Sequence, residues 1–352
     1  MTSAAAVKTG GGAGILDARL TFRRMFIACL LLLIGLLLII FGTSLMGSEQ
    51  LPGRATICAL VTYGDPSCGL RPDHEAILFD IRLPRIILAA SVGASLAAAG
   101  ASYQALLRNP LAEPYLLGIS NGAAVGTMLA LVFFAGNEWS RPMMAFSGAL
   151  LATLVVYRLA LGRAGATPER LILAGVIVTT FLSSVIVFVT TLMDATRIRS
   201  FTFWLLGDLS GTTSSMLTLA VAFALLGTAV LTINARSLNL LMLGERDAFD
   251  LGVEVGRVRL VVFIAASFLV GSSVASSGSV GYVGLVVPHL VRLSLGSDNR
   301  ITIPAAALAG AIFVVIADTL ARTVIAPREL PVGAITALVG APLFIYLLRR
   351  GI

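Results

Sequence analysis

Residues 25–48 read MFIACLLLLIGLLLIIFGTSLMGS, twenty-four positions without a charged side chain. A helix needs about 20 mostly apolar residues to cross the hydrocarbon core of a bilayer, and this stretch supplies them. The pattern recurs along the chain, with further uncharged intervals at 86–107, 114–137, 142–157, 171–193, 209–235, 260–291, 301–317 and 330–348. Interval 260–291 is too long for one span and is interrupted by Ser276-Ser277-Gly278-Ser279, which predicts two shorter helices meeting near Gly278 and Gly281. Interval 142–157 is short, but apolar residues continue to Leu161 past Arg158, whose long side chain can snorkel. The sequence therefore predicts an all-α integral membrane protein of about ten transmembrane helices. It is organised as a flexible cytoplasmic tail, residues 1–24, followed by a single membrane domain, residues 25–352.

Composition agrees. Of 352 residues, 57% are hydrophobic and 12% charged, against about 25% charged in soluble proteins. This excludes disorder and argues against nucleic acid as a partner. The net charge of +7 comes almost wholly from arginine, because Lys8 is the sole lysine. An even number of spans puts both termini on one side, and with the N-terminus cytoplasmic 16 of the 25 basic residues fall inside. The positive-inside rule then places both ends in the cytoplasm. The first span follows a polar stretch without an evident small-residue cleavage site and reads as a retained helix. Cys58 and Cys68 fall in the outer loop 44–80, where an oxidising compartment permits a bridge without requiring one; Cys29 reads as a small apolar residue.

Catalytic and energy-coupling chemistry is sparse. Ion-driven carriers place ionisable residues well inside their helices, whereas here Asp318 and His289 lie near predicted helix ends. A phosphate-binding loop needs its Lys after a glycine-rich run, which Lys8 lacks, so any ATP must be hydrolysed elsewhere. Gly118-Ile119-Ser120-Asn121-Gly122 has the form of a serine nucleophile elbow, but it opens an apolar span, and Gly118, Gly122 and Gly126 have the spacing of closely packed membrane helices. No catalytic residue, metal site or cofactor is expected. An ion-coupled secondary carrier and a membrane enzyme built on Ser120 are the alternatives.

Five segments carry more specific information. Arg82-Leu83-Pro84-Arg85 places two arginines on the outer face against the positive-inside bias. It reads either as interfacial snorkelling or, with Arg322, as a cationic landing site for an acidic partner. Arg108-Asn109-Pro110-Leu111-Ala112-Glu113-Pro114 forces a sharp reversal, with Asn109 and Glu113 available to bond backbone groups freed by the prolines. Between about 240 and 255, Leu243, Ala248, Leu251 and Val255 recur at near-helical spacing among Glu245, Arg246, Asp247 and Asp250. The spacing predicts one amphipathic helix that docks a cytosolic protein. Gly281-Tyr282-Val283-Gly284-Leu285-Val286-Val287-Pro288-His289 predicts a helix with a weak point. Glu329-Leu330-Pro331-Val332-Gly333 opens a last helix with a small-residue face at Gly333, Ala337 and Ala341.

In this order, the five segments resemble the permease subunits of type II ABC importers, the FecCD-like family serving iron–siderophore, haem and vitamin B12 uptake. The resemblance runs from about Arg82 to Arg350. It implies ten helices per subunit, a pair of permeases (a homodimer of this chain, with a different permease as the alternative second subunit), two cytosolic ATPase subunits and a periplasmic or surface substrate-binding protein, in a bacterial cytoplasmic membrane. It assigns ATPase coupling to Leu243, Gly244, Glu245, Ala248, Leu251 and Gly252, and binding-protein docking to Arg82, Arg85 and Arg322. Thr179, Thr180, Ser183 and Ser184 fall on the helix that lines the passage in that family. A ferric siderophore is the expected cargo, with haem and cobalamin beside it.

Overall fold

The computed structural model describes residues 22–349 except 63, 135, 136, 138, 163, 164 and 212. The expected tail therefore lies outside the described residues for all but its last positions. The chain begins with α1 (Phe22–Ser44), followed by the short α2 (Gly53–Thr62) and α3 (Pro72–Ala76). A π-helical turn, Ile77–Arg82, feeds α3 into α4 (Leu83–Leu106). Then come α5 (Ile119–Phe133), α6 (Ser140–Ala160), α7 (Pro168–Thr190), α8 (Ala195–Leu205) and α9 (Ser214–Ile233). The remainder is α10 (Ala235–Leu243), α11 (Glu245–Asp250), α12 (Val255–Ser277), α13 (Val283–Leu295), α14 (Asn299–Thr323) and α15 (Val332–Arg349). A two-residue ladder, Leu161–Gly162 against Gly165–Ala166, joins α6 to α7.

Each uncharged interval contains a helix, and interval 260–291 divides as expected, α12 ending at Ser277 and α13 starting at Val283. Seven helices are long and apolar enough to cross a membrane among the described residues, while α5, α13 and α15 are shorter. The short helices α2 and α8 lie in segments expected to be loops. Cys58 and Cys68 form a disulfide.

The bundle is built around α4. Its small residues allow backbones to meet: a Cβ at Gly93 would run into the Gly310 carbonyl of α14, and one at Gly100 into Gly284 of α13. The same device joins α5 to α6, where Gly122 faces Gly148 and Gly126 faces the Met144 carbonyl. Without a hydrophobic driving force between helices in lipid, such close packing is what holds them together. Around this core the outer helices present apolar side chains, with Leu31, Leu38 and Phe181 each about two-thirds exposed.

α5 has 15 residues and α13 has 13, so at 1.5 Å per residue each is only about 20 Å long. The missing length is irregular backbone, which in a membrane must find its hydrogen bonds within the protein. Here the two irregular segments satisfy one another. The Tyr115 hydroxyl donates to the Val280 carbonyl at 2.9 Å and accepts from the Val280 N–H at 3.0 Å. Glu113 Oε1 accepts from the Tyr282 N–H at 3.2 Å, at the start of α13. Ser120 Oγ lies 3.3 Å from Ser279 Oγ, so the serine of the elbow-like motif is tied into this junction.

Candidate functional site

α4 runs the depth of the bundle, about 36 Å for its residues at helical rise, and a charged cluster stands at each end. At its start, Arg85 donates from Nε to Asp318 Oδ1 at 3.0 Å and from Nη1 to Glu329 Oε2 at 2.7 Å. Arg322 donates to the other oxygen of Asp318 at 2.9 Å. Arg82 donates to the Ser44 and Glu49 carbonyls at 2.9 and 2.8 Å, closing the turn after α1. The expectation of three displayed cations is corrected in this respect: Arg82, Arg85 and Arg322 are 4%, 7% and 5% exposed. Guanidiniums brought so close to a bundle's interior are retained only when paired, because removing charge from water costs several kcal/mol. Glu329 is the open member of the group, its side chain 40% exposed.

The other end of α4 leads to the segment between 240 and 255. Where one amphipathic helix was expected, two short ones meet at Gly244, and Val255 already belongs to α12. The physical reason is the backbone at Gly244, whose φ of 149° strains any residue with a side chain. The resulting elbow displays Leu243 (67% exposed), Phe249 (72%) and Leu251 (62%), while Ala248 is fully buried beneath them. Gly252, at φ 84°, turns the chain back, and the Val253 N–H closes the turn on the Ala248 carbonyl at 2.9 Å. Phe249 is the largest apolar group displayed here. The helical spacing passed it over, although a phenylalanine among Glu245, Asp247 and Asp250 was itself a signal.

Glu245 opens α11 and faces inward. It pairs with Arg259 of α12 at 2.5 Å and lies 3.9 Å from Arg108 of the loop after α4. Arg259 is 5% exposed and was missed as a functional candidate. Arg257, two residues earlier, has a side chain 77% exposed, and nothing local in the sequence distinguishes the two.

The four candidates on α7 do not form one group. Thr180, Ser183 and Ser184 are exposed, on a face shared with Leu173, Ile177, Phe181 and Phe188. Thr179 is half-buried and turns towards the Leu116 carbonyl. Asn121 of α5 clamps this part of α7, donating to the Thr179 carbonyl at 3.0 Å and to Ser183 Oγ at 2.7 Å.

Helices in contact through glycine, short helices meeting in the interior and an apolar elbow projecting from one end together define a polytopic membrane bundle. Comparison with known proteins specifies the family. The chain belongs to the FecCD transport family, which matches residues 29–350. It is 42% identical over 290 residues to the cobalamin import system permease BtuC of Halobacterium salinarum, covering 82% of this chain and 78% of that one. It is 39% identical over 324 residues to the hemin transport system permease HmuU of Yersinia pestis, covering 91% and 94%. An ABC transporter permease of Bacillus subtilis, YvrB, shares 45% over 287 residues, covering 79% and 80%. Among solved structures, a metal-chelate type ABC transporter in an inward-facing conformation superposes with a TM-score of 0.78 at 30% identity, covering 90% of this chain and 98% of that one.

Proposed function

We propose that this chain is the membrane subunit of an ABC importer that carries a large metal chelate, a ferric siderophore, haem or cobalamin, across a bacterial cytoplasmic membrane. The observation that carries the reading is similarity along most of the chain to permeases named for cobalamin and for hemin, together with the fold shared with a metal-chelate transporter. Two copies pair, with α7 and its Thr180, Ser183 and Ser184 beside the passage and both termini in the cytoplasm. Two cytosolic ATPase subunits grip the α10–α11 elbows through Leu243, Phe249 and Leu251, with Gly244 and Gly252 setting its shape and Ala248 and Glu245 seating it. ATP binding draws the elbows together and biases the pair between outward- and inward-open packings.

A substrate-binding protein docks at the Arg85 end. Arg82, Arg85 and Arg322 stand against Asp318, Glu329 and Glu49, the last acting on Arg82, so an acidic partner gains a cation here by taking the place of a carboxylate. Glu329, at the rim, is the carboxylate that a partner's acid would displace from Arg85.

An ion-coupled carrier is the weaker reading. Asp318 is an acid buried in a long apolar helix, but both its oxygens are taken by arginines, which opposes a role in binding and releasing a proton or sodium ion. The test is uptake of labelled ferric siderophore, haem and cobalamin in cells lacking this chain. Loss of one names the cargo; unchanged uptake of all three overturns the assignment.

A further inference from the structure

Among the described residues, no hydrogen bond or ion pair joins α11 directly to α7. Between α11 and the α6–α7 connection lies a cavity of about 410 Å³, lined by Tyr157, Gly165, Ala166, Phe249, Gly256 and Arg259 among others. One side chain spans it. Arg259 donates from one terminal nitrogen to Glu245, the first residue of α11, and from the other to the carbonyl of Ala166. Ala166 immediately precedes Thr167, the N-cap of α7. The guanidinium is buried, and its Nε–H has no partner, so both of its hydrogen bonds run to these two elements.

Resting on the reading of α10–α11 as the ATPase-docking elbow, we propose that Arg259 is a positioning residue that transmits movement of α11 to the base of α7. The elbow has a pivot at Gly244, and the cavity leaves α11 room to move without pushing on α7 by packing. A planar fork can hold a carboxylate and a carbonyl at once with fixed geometry, whereas an ammonium is a single point donor on a flexible stem. Arg108, 3.9 Å from Glu245, adds a cation on the same side, and both arginines interact electrostatically with Glu169 in the first turn of α7. Charge therefore surrounds the tie on the α7 side as well.

The test uses the complete complex with its ATPases, in a chain whose Cys29 is replaced by serine. Nitroxides are placed on two pairs: Asp250→Cys with Leu293→Cys, which follows α11, and Leu173→Cys with Leu293→Cys, which follows α7. Distances are read by pulsed electron resonance without nucleotide and with ATP–vanadate. The wild-type background should show a nucleotide-dependent shift in both pairs. In Arg259→Lys the α11 shift should persist while the α7 shift falls by at least half. Glu245→Gln, on the more exposed side of the tie, should act in the same direction and serves if Arg259→Lys does not fold. A full α7 shift in a folded variant overturns the tie and leaves the docking reading intact. An α11 pair that ignores nucleotide in the wild-type background overturns the docking reading and the tie with it.

Discussion

Arg85 and Asp318, separated by 233 positions in sequence, meet with Nε 3.0 Å from Oδ1, and Asp318 is wholly buried. This contact, repeated on the other carboxylate oxygen by Arg322, locks the start of α4 to the end of α14. Removing the acid leaves the buried Arg322 without a carboxylate and the buried Arg85 with Glu329 alone. Asp318→Ala should destabilise the protein by about 3–5 kcal/mol, the usual cost of breaking a buried ion pair on one side. The check is the thermal midpoint of the purified protein in detergent. Replacing all three members with apolar residues of similar size should recover much of the loss; an unaltered midpoint for Asp318→Ala would refute the locking role.

Two glycines of contrasting surroundings test the packing account. A Cβ at Gly93 meets the Gly310 backbone, whereas one at Gly256 meets nothing within 4 Å. Gly93→Ala should cost about 1–3 kcal/mol through overpacking. Gly256→Ala, in the first turn of α12, should be neutral or stabilise by less than the about 1 kcal/mol that separates alanine from glycine in a helix interior. Equal effects at the two sites in thermal scans would rule out backbone contact as the reason for glycine at 93.

At the elbow, Phe249→Asp and Leu251→Arg change exposed residues and should leave the fold intact while preventing co-purification of the ATPase subunits. A milder variant, Gly244→Ala, should retain the complex and reduce uptake several-fold, because the backbone there strains any residue bearing a Cβ, by about 1–3 kcal/mol. Normal co-purification with Leu251→Arg would remove the elbow from the docking surface.

At the Arg85 end, Glu329→Gln should tighten the binding protein's docking about two- to fivefold at low ionic strength, with the gain shrinking as salt screens it. Titration of the detergent-solubilised permease with the binding protein reads this directly. Weaker docking would show that Glu329 itself is a contact. Reversing Arg82 or Arg85 is a poorer experiment, since both are buried and the fold would suffer first.

Asp298, in the loop before α14, links stability to pH. Burial pushes its carboxyl up, but bonds from the Arg300 guanidinium and N–H and from the Asn239 amide outweigh this and hold it below the ordinary carboxylate range. A pKa lowered on folding contributes stability above the unfolded value, near 3.9, and that contribution fades as pH falls through the folded value. Asp298 also caps α14, accepting from the Arg300 N–H at 2.9 Å. Asp298→Ala should therefore cost about 1 kcal/mol at pH 7, with the difference from wild type shrinking below about pH 4. A difference constant from pH 7 to 3 would refute the ionised cap.

Much of this was legible in the chain. Charge-free runs located the membrane helices because a charged group in hydrocarbon is costly wherever the helix packs. Gly278 predicted the break before α13, and Gly122 and Gly126 predicted close packing, because glycine leaves a local trace. The elbow was half legible: its position followed from charges set among apolar residues. Its division did not, because near-helical spacing continues through Gly244 into the first residue of α12.

The sequence by itself determined that the chain lies in a membrane, which stretches of it form the spanning helices, and which family it belongs to, since these follow from local composition and motif order. Only the tertiary structure decided the fate of the charges. Arg82 and Arg85 read as surface cations and are buried, and Arg259 is buried where Arg257 is exposed. Glu113 reaches the start of α13 rather than its own loop. An ion's environment is set by whatever the rest of the chain brings within a few ångströms, and for Arg85 the decisive partners lie more than two hundred residues away.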